Sequence, residues 1–371
     1  LFIIIFAMNL KRTLLLEVKS QGYSVVIGND SLSHLNEFLN GKTYSKYFII
    51  VDENTIEHCL PAIVTNIDCL AEAEVIQTES GEENKTIEIV TQVWYAMSEA
   101  HADRKALVVN LGGGVISDMG GFIASTYKRG IDFVNIATTL LSQVDASVGG
   151  KLGIDLGGLK NQIGVFNFPQ MVVIYPPFLQ TLEFRQLKSG FSEVLKHALI
   201  QDEKYWEEVK KINVSPDYDW ENIIGKSVQI KNKVVLEDPK EKGIRKILNF
   251  GHTIGHAIET WHLENDPDFF LHGEAIAMGM IAEGFLSKEK LRLSDKALSE
   301  IVTVFKSVYD LKPLPEENFE SYCGLMIHDK KNSGGKISCS LLSKIGDCKW
   351  DVFADKKDIL NALTSYNKTF T

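Results

Sequence analysis

Short apolar runs alternate with amphipathic segments through the first half of the chain. Ile87, Val90 and Trp94 recur at helical spacing between Thr86 and Glu99, which predicts a helix with one buried face. Other runs have the length and apolar character of buried parallel strands. These predicted strands are Tyr47–Val51, Ala73–Gln77, Ala106–Asn110, Asp132–Ile136 and Met171–Tyr175. Repeated alternation of strand, turn and helix predicts an α/β layer with a doubly wound parallel sheet.

The pattern becomes mostly helical after about Glu183. Pro176 and Pro177 stand just before this change and would interrupt any regular element that ran through them. The predicted helices are Ser192–Ile200, Tyr205–Lys211, Trp220–Val235, Thr253–Trp261 and Glu274–Lys288. We therefore expect an α/β domain over residues 1–184, a mostly α-helical domain over residues 185–371, and a functional site in the cleft between them.

Composition describes an ordinary globular protein. A length of 371 residues suggests about two domains, and 44% hydrophobic with 24% charged residues excludes a disordered or fibrous chain. The net charge of −10 argues against nucleic acid as a partner, although a local basic pocket could still bind a small anion. The five cysteines form no CxxC pair, so we expect neither disulfides nor a thiolate zinc site, as in a reducing cytoplasm.

The first residues, Leu1–Ala7, are strongly apolar. This run is far shorter than the roughly 20 residues needed to span a bilayer. It also has neither a basic segment before it nor a small-residue cleavage site after it, and Met8 follows at once. We expect that these residues precede the natural start and do not anchor the protein in a membrane.

A glycine cluster follows a predicted strand in Leu111–Asp118 (LGGGVISD). Such a turn either allows close packing of strand on helix or lets backbone N–H groups approach a phosphate at a helix N-terminus. Asp52, Ser80–Lys85 and the pair Thr138-Thr139 also follow predicted strands. Polar groups at the carboxyl ends of consecutive strands favour a dinucleotide-binding edge.

Candidate metal ligands lie in the second half. His252 and His256 are four residues apart and share one face of a predicted helix, His272 opens another helix, and Glu193 lies in a third. One glutamate and two histidines, with a position left open, form a known catalytic zinc set. From spacing alone the histidine pair can be 252/256, 252/272 or 256/272.

Several basic residues complete the candidate site. They are Lys151, Lys160, Lys196, Lys231 and Arg245. In an acidic chain such a cluster favours an anionic substrate, whereas most lysines simply lie on solvated helix faces. Lys151 and Lys160 are the stronger candidates because each lies next to glycine-containing turns.

From about Asp52 to Lys331 the chain resembles the 3-dehydroquinate synthase family of sugar-phosphate cyclases, which is similar in architecture to glycerol dehydrogenase-like metal-dependent dehydrogenases. The resemblance implies a Rossmann-like N-terminal domain that binds NAD and a helical domain that binds metal and substrate. The motifs that carry it are Ser80–Lys85, Gly112–Asp118, Tyr127–Gly130, Thr138–Lys151, Lys160–Gly164, Glu193–His197, Arg245–Glu259, Leu271–Met280 and Asp329–Lys331.

The resemblance also implies roles for individual residues. It assigns Glu193, His252 and His272 to Zn²⁺ or Co²⁺, which leaves His256 for substrate and proton handling. The implied NAD contacts are Asp52, Glu82, Lys85, Gly114, Val115, Ile116, Ser117, Asp118, Thr138, Thr139, Lys151, Lys160, Phe178, Leu179, Gln180 and Thr181. The implied substrate contacts are Asp145, Lys151, Asn161, Lys196, Lys231, Arg245, Asn249, His256 and Lys330, the last preferred over Lys331.

Arg129 resembles a residue that reaches the phosphate in the neighbouring subunit, which implies a homodimer. The implied reaction converts 3-deoxy-D-arabino-heptulosonate 7-phosphate into 3-dehydroquinate and phosphate, in the shikimate pathway to chorismate and the aromatic amino acids. It comprises transient oxidation by NAD, phosphate elimination, reduction, ring opening and intramolecular aldol closure. The alternatives are a 2-deoxy-scyllo-inosose or valiolone-type cyclase and a metal-dependent polyol dehydrogenase, which would release NADH.

Overall fold

A computed structural model describes residues 15–157, 159–327 and 336–371. The expectations for Leu1–Ala7 and for Lys330 lie outside these ranges. All five cysteines lie in these ranges, and each is a free thiol. Among the described helices, none combines the length and apolar character that crossing a membrane requires.

A seven-stranded sheet forms the centre of the first half. Its strands run parallel except β1, which pairs antiparallel with β2 at one edge. In chain order they are β1 (Leu16–Lys19), β2 (Ser24–Ile27), β3 (Tyr47–Val51), β4 (Glu74–Gln77), β5 (Leu107–Gly112), β6 (Asp132–Ala137) and β9 (Met171–Ile174). Their spatial order, β1-β2-β9-β6-β5-β3-β4, reverses direction along the chain as a doubly wound sheet does.

Two antiparallel hairpins complete the strands. The first joins β7 (Lys151–Leu156) to β8 (Leu159–Phe166), and the second joins β10 (Ile337–Lys344) to β11 (Asp347–Ala354). Neither hairpin was predicted from the sequence. The second lies in the half that we expected to be mostly helical, and its Leu341 and Leu342 are fully buried against the helices.

Thirteen α-helices lie in the described ranges. They are α1 (Ser31–Asn40), α2 (Glu53–His58), α3 (Leu60–Asn66), α4 (Ile87–Glu99), α5 (Gly114–Thr126), α6 (Phe184–Gln201), α7 (Glu203–Val209), α8 (Glu221–Glu237), α9 (His252–Asn265), α10 (His272–Leu291), α11 (Asp295–Val308), α12 (Phe319–Ile327) and α13 (Lys356–Asn367). Every predicted helix and strand coincides with an observed element, although α6 begins eight residues before Ser192, the predicted start.

Side chains of one strand alternate between the two faces of the sheet. In β3, Ile49 packs with α1 and α3, whereas Phe48 and Ile50 pack with α4 and α5. Strands β2 and β9 contribute Ile27 and Ile174 to the same apolar core as helices α6, α8 and α10. The two halves therefore share a continuous core, which fixes the carboxyl edge of the sheet against the helices.

Helices α9 and α10 approach each other at glycines. A Cβ atom at Gly279 would lie 2.0 Å from the carbonyl oxygen of Gly251 and 2.7 Å from the amide nitrogen of Gly255. Gly251 itself is left-handed, with a φ of 81°. The fully buried Glu283 of α10 accepts hydrogen bonds from the backbone N–H groups of Gly251 and Ile254. This contact sets the first turn of α9, where His252 lies, one turn before His256.

We expect Gly279→Ala to lower the free energy of unfolding by about 1–3 kcal/mol, because the added methyl group must displace backbone atoms of α9. Urea denaturation of the variant and the parent measures this change. Gly324→Ala is the matched control, since a Cβ at Gly324 in α12 meets no atom within 4 Å. That control is expected to gain about 0.5–1 kcal/mol from helix propensity. Equal stability of Gly279→Ala and the parent would contradict the proposed close packing.

Candidate active site

A cleft of about 1280 Å³ opens between the carboxyl edge of the sheet and helices α6, α8, α9 and α10. This volume exceeds what one small ligand fills, so the cleft has room for a dinucleotide beside a second molecule. Most of the predicted site residues line it. They are Asp52, Glu82, Lys85, Gly114, Val115, Ile116, Asp118, Thr138, Thr139, Asp145, Lys151, Lys160, Asn161, Phe178, Thr181, Lys196, Lys231, Arg245, Asn249, His252, His256 and His272.

The N-terminus of α5 forms one wall of the cleft. Its N-cap residue, Gly113, makes no side-chain capping hydrogen bond, so the N–H groups of the first turn and the positive end of the helix dipole face a ligand directly. At Gly112 a Cβ atom would lie 2.5 Å from the Cβ of Ile116, so this turn requires glycine. Uncapped helix N-termini of this kind bind phosphate groups.

Asp52 lies at the neighbouring strand end and caps α2. Its Oδ1 atom accepts hydrogen bonds from the N–H groups of Asn54 and Thr55, at 3.0 and 2.8 Å. Each of these contacts uses the same carboxylate oxygen, and the residue lines the cleft. The carboxylate is thus held rigidly while its second oxygen remains suited to accept a hydroxyl.

Two histidines converge on a buried glutamate. Glu193 is fully buried, and its Oε1 lies 3.7 Å from His252 Nε2 and 3.8 Å from His272 Nε2. That oxygen has no hydrogen-bond donor among the described residues, whereas Oε2 contacts the Lys196 ammonium group. An orphaned buried carboxylate oxygen facing two imidazole nitrogens fits a bound cation.

The other ring nitrogens of these histidines are occupied. His252 Nδ1 lies 3.2 Å from the carbonyl oxygen of Phe250, and His272 Nδ1 lies 3.1 Å from Glu259 Oε2. In each ring the Nδ1–H therefore donates, which leaves Nε2 with a lone pair toward Glu193. Metal-binding histidines are oriented in this way.

His256 lies close to both of them. Its ring centroid is 4.9 Å from that of His252 and 5.7 Å from that of His272. One nitrogen from each of the three rings lies within 4.8 Å of the others, so a three-histidine set is also compatible with the geometry. Distances alone therefore do not decide which of the three histidines would bind a metal ion. The Glu193 oxygen without a donor is the observation that favours a site containing Glu193.

The pKa values of the two histidines that face Glu193 are shifted in opposite directions. Burial and the neighbouring Lys196 lower the pKa of His252 well below its ordinary value, so the ring is neutral and can act as a ligand. Burial would also lower the pKa of His272, but attraction to Glu259 outweighs it and raises that pKa. Glu259 thus increases the basicity of the His272 ring.

A buried basic pocket lies beside the histidines. Lys231 Nζ is 2.6 Å from the carbonyl oxygen and 2.8 Å from Oδ1 of Asp145, and His197 Nε2 is 3.4 Å from the same Oδ1. Burial would raise the pKa of Asp145, but Lys231 and Lys196 hold it well below its ordinary value. Burial lowers the pKa of Lys231. Lys196 and Lys231 are therefore buried cations on α6 and α8, not the solvated helix faces that most lysines occupy.

Arg245 is fixed in the same pocket by backbone oxygens. Its two terminal nitrogens donate to the carbonyls of Pro239 and Gly149, at 2.8 and 3.0 Å, and Asp238 accepts from its backbone N–H. No carboxylate accepts from the guanidinium group within the described residues. Backbone oxygens therefore fix the guanidinium group at the cleft, and Glu241, Asp145 and Asp238 act on its charge from a distance, without direct contact.

An unbroken series of ion pairs crosses the cleft floor. Lys85 Nζ lies 3.0 Å from Asp118 Oδ2 and 3.3 Å from Glu82 Oε1. Lys160 Nζ lies 3.5 Å from the same Glu82 oxygen and 2.6 Å from Glu259 Oε1. Because Glu259 also contacts His272, this series of ion pairs connects Asp118 in the first half of the chain to the histidine cluster.

Five of the predicted residues that the structure describes do not line this cleft. One is Glu193, which is fully buried beside the histidines. Ser117 and Leu179 are buried, Leu179 in the apolar core, and Gln180 is exposed at the end of its turn. Arg129 is exposed after α5, in a left-handed conformation with a φ of 72°. The proposed roles of Ser117, Leu179 and Gln180 therefore need backbone contacts, and that of Arg129 needs another subunit.

Two acidic residues at the site were not singled out from the sequence. Glu241 contacts Lys151 and Asn249, and Glu259 contacts Lys160 and His272. For Glu259 a signal was present: it lies seven residues after His252, so both share one face of α9 with His256. Glu241 lies in a loop, where no periodicity could indicate its direction.

Comparison with known proteins finds matches over most of the chain. The family described as "3-dehydroquinate synthase N-terminal" matches residues 75–189, and "3-dehydroquinate synthase C-terminal" matches residues 190–332. A 3-dehydroquinate synthase of Parabacteroides distasonis is 42% identical over 349 residues, which cover 93% of this chain and 98% of that protein.

Solved structures share the fold at lower identity. A 2-deoxy-scyllo-inosose synthase complexed with carbaglucose-6-phosphate, NAD⁺ and Co²⁺ superposes with a TM-score of 0.82 at 23% identity, covering 94% of this chain and 99% of the other. A 2-epi-5-epi-valiolone synthase from Streptomyces hygroscopicus with NAD⁺ and Zn²⁺ gives 0.78 at 24%, covering 95% and 98%. A glycerol dehydrogenase from Schizosaccharomyces pombe gives 0.64 at 13%, covering 93% and 88%.

Proposed function

The chain belongs to the 3-dehydroquinate synthase family, and we propose that its cleft holds NAD, one divalent metal ion and a phosphorylated sugar acid together. The chain is an enzyme of this type, which forms 3-dehydroquinate and phosphate from 3-deoxy-D-arabino-heptulosonate 7-phosphate in the shikimate pathway. The other cyclases and the polyol dehydrogenases have less support. Their solved structures are only 13–24% identical to this chain, so the likeness extends only to the fold.

We propose that the NAD pyrophosphate binds at the N-terminus of α5. The uncapped first turn supports this placement, and the cofactor in two structural neighbours is also NAD⁺. The adenosine ribose then lies at Asp52, whose carboxylate is held by the first turn of α2. Thr138 and Thr139 follow β6 and serve the same edge of the sheet.

The proposed metal ligands are Glu193, His252 and His272, as the family resemblance implies. The single observation that carries this choice is the fully buried Glu193 Oε1, which faces both Nε2 atoms and has no donor among the described residues. When bound, Zn²⁺ or Co²⁺ supplies Lewis-acid polarisation of a substrate oxygen, and NAD supplies reversible hydride transfer.

The basic pocket is proposed to bind the anionic substrate. Lys196, Lys231 and Arg245 present positive charge that is buried and therefore weakly screened, so it can bind a carboxylate and a phosphate strongly. Lys151 and Asn161 on the β7–β8 hairpin, with Asn249, border the same space. These groups orient the sugar and exclude bulk water from the reacting carbons.

His256 is proposed to move a proton at its imidazole nitrogen. Its ring lies against both proposed histidine ligands and lines the cleft, so a substrate oxygen near the metal site is within its reach. Three further predictions from the sequence remain proposals. We propose that the two domains meet near residue 184, and that Ser117, Leu179 and Gln180 contribute through their backbone. We also propose that the enzyme works in the cytoplasm, where its free thiols would persist.

Exchange of single ligands tests the metal site. We expect Glu193→Gln, His252→Ala and His272→Ala to lose bound metal, because each removes one of the proposed donors. His256→Ala should keep the metal and lose activity. The measurement is metal content by elemental analysis after dialysis, alongside turnover before and after EDTA treatment. Metal retained in Glu193→Gln but lost in His256→Ala would mean that three histidines form the site.

Turnover distinguishes the cyclase from a polyol dehydrogenase. With 3-deoxy-D-arabino-heptulosonate 7-phosphate, metal and substoichiometric NAD, we expect many phosphate molecules to be released per NAD. No NADH absorbance should build up, because the hydride returns to the substrate. Phosphate release and the NADH absorbance band are followed in the same sample. NADH that accumulates in proportion to product would contradict this assignment.

Arg129 is proposed to complete the phosphate site of a neighbouring subunit. It is exposed after α5 and is not among the residues that line the cleft of its own chain, which supports this role. The short turn Tyr127–Arg129 includes left-handed Lys128 as well as Arg129, and both residues are exposed. A homodimer is the simplest assembly that places it in a second site.

Subunit mixing tests this assembly. Arg129→Ala and Glu193→Gln should each be almost inactive as homodimers. After subunit exchange, each heterodimer rebuilds one intact site, and we expect about a quarter of the parent activity from an equal mixture. Activity is assayed by phosphate release, with heterodimer content checked by native mass spectrometry. Heterodimers without activity would place the action of Arg129 within its own subunit.

A further inference from the structure

Glu259 is the last residue of the motif Arg245–Glu259. It lies on α9, is almost fully buried, and contacts residues from both sides of the cleft. Its Oε2 lies 3.1 Å from His272 Nδ1, and its Oε1 lies 2.6 Å from Lys160 Nζ on β8. One carboxylate thus contacts a histidine of the helical half and a lysine of the α/β half.

We propose that Glu259 is a positioning residue that fixes the His272 ring as a metal ligand. This inference rests on the proposed metal site. By accepting the Nδ1 proton, the carboxylate selects the tautomer in which Nε2 carries the lone pair, and that atom faces Glu193 Oε1 at 3.8 Å. A charged acceptor also makes the ring a stronger donor to a cation.

The two proposed histidine ligands differ in how they are held. His252 is oriented by a backbone carbonyl, that of Phe250, which a side-chain substitution cannot remove. His272 stands at the first residue of α10 and has Glu259 as its Nδ1 partner. Its orientation therefore depends on one side chain from a different helix, which makes Glu259 the sensitive point of the site.

Lys160 compensates the buried charge of Glu259. An ionised carboxylate in this environment is costly unless paired, and the lysine supplies that pairing from the β7–β8 hairpin. The alternative role for Glu259 is therefore purely structural: an ion pair that holds the hairpin to α9 and affects the metal site only through the position of the domains. Variants at Lys160 and Glu259 separate the two roles.

The test is a titration of metal-free protein with Co²⁺, which reports affinity and, through its visible absorption, the ligand geometry. We expect Glu259→Gln to bind Co²⁺ about 10- to 100-fold more weakly with an altered spectrum, because a neutral amide replaces the charged acceptor. Lys160→Gln should not weaken Co²⁺ binding, since it leaves the Glu259–His272 contact in place. Glu264→Gln, an exposed neutralisation on the same helix, is the matched control and should behave like the parent.

The outcomes distinguish the possibilities. Parent protein that binds no Co²⁺ overturns the proposed metal site and this inference with it. Parent protein that binds Co²⁺ while Glu259→Gln matches it in affinity and spectrum overturns the inference alone. Equal weakening in Lys160→Gln and Glu259→Gln also overturns it, in favour of the structural role. If Glu259→Gln is not folded by circular dichroism, Glu259→Asp keeps the charge but withdraws it from His272, and weaker Co²⁺ binding is again expected.

Discussion

The close contact between α9 and α10, which only glycine permits, is the constraint on which the site depends. Gly251, Gly255 and Gly279 let the two backbones touch, and Glu283 fixes the first turn of α9 against α10. The consequence is that His252 and His272, twenty positions apart in sequence, stand at adjacent helix starts. A site built on rigid helices holds its ligands more accurately than one built on loops.

The cleft concentrates charge that would be unstable if any member stood alone. Cations and anions alternate from Asp118 through Lys85, Glu82 and Lys160 to Glu259, so each buried charge has an opposite neighbour. The basic pocket departs from this balance. The guanidinium group of Arg245 is held by carbonyl oxygens and not by a carboxylate in direct contact, so its terminal nitrogens are fixed in position for an anion.

The sequence predicted the parallel sheet well because its central strands are buried on both faces. A run such as Tyr47–Val51 has no polar position and is readable without context. The β7–β8 hairpin was missed because Lys151–Leu156 and Leu159–Phe166 mix polar, glycine and apolar residues without a clear period. Its burial comes from α5, a tertiary contact that the local pattern does not contain.

For the site, residue types and helical spacing identified the histidines, and the motifs identified most of the cleft lining. Distances between elements could not be predicted. The choice of Nε2 over Nδ1 depends on Phe250 and Glu259, and the burial of Lys196 depends on the packing of α6 within the core. These are properties of the assembled fold, so a pattern within one segment does not determine them.

The series of ion pairs across the cleft floor also restricts how the enzyme can evolve. Lys160 contacts both Glu82 and Glu259, and each of these glutamates has one further partner. The effect on stability of replacing any of the three therefore depends on which residues occupy the other positions. A neutral substitution at one position would remove one opposite charge from a neighbour, and a second change would be needed to restore the balance. We therefore expect these residues to change together in evolution. The effects on stability of substitutions in this part of the cleft should be coupled, and single substitutions there should be poorly tolerated.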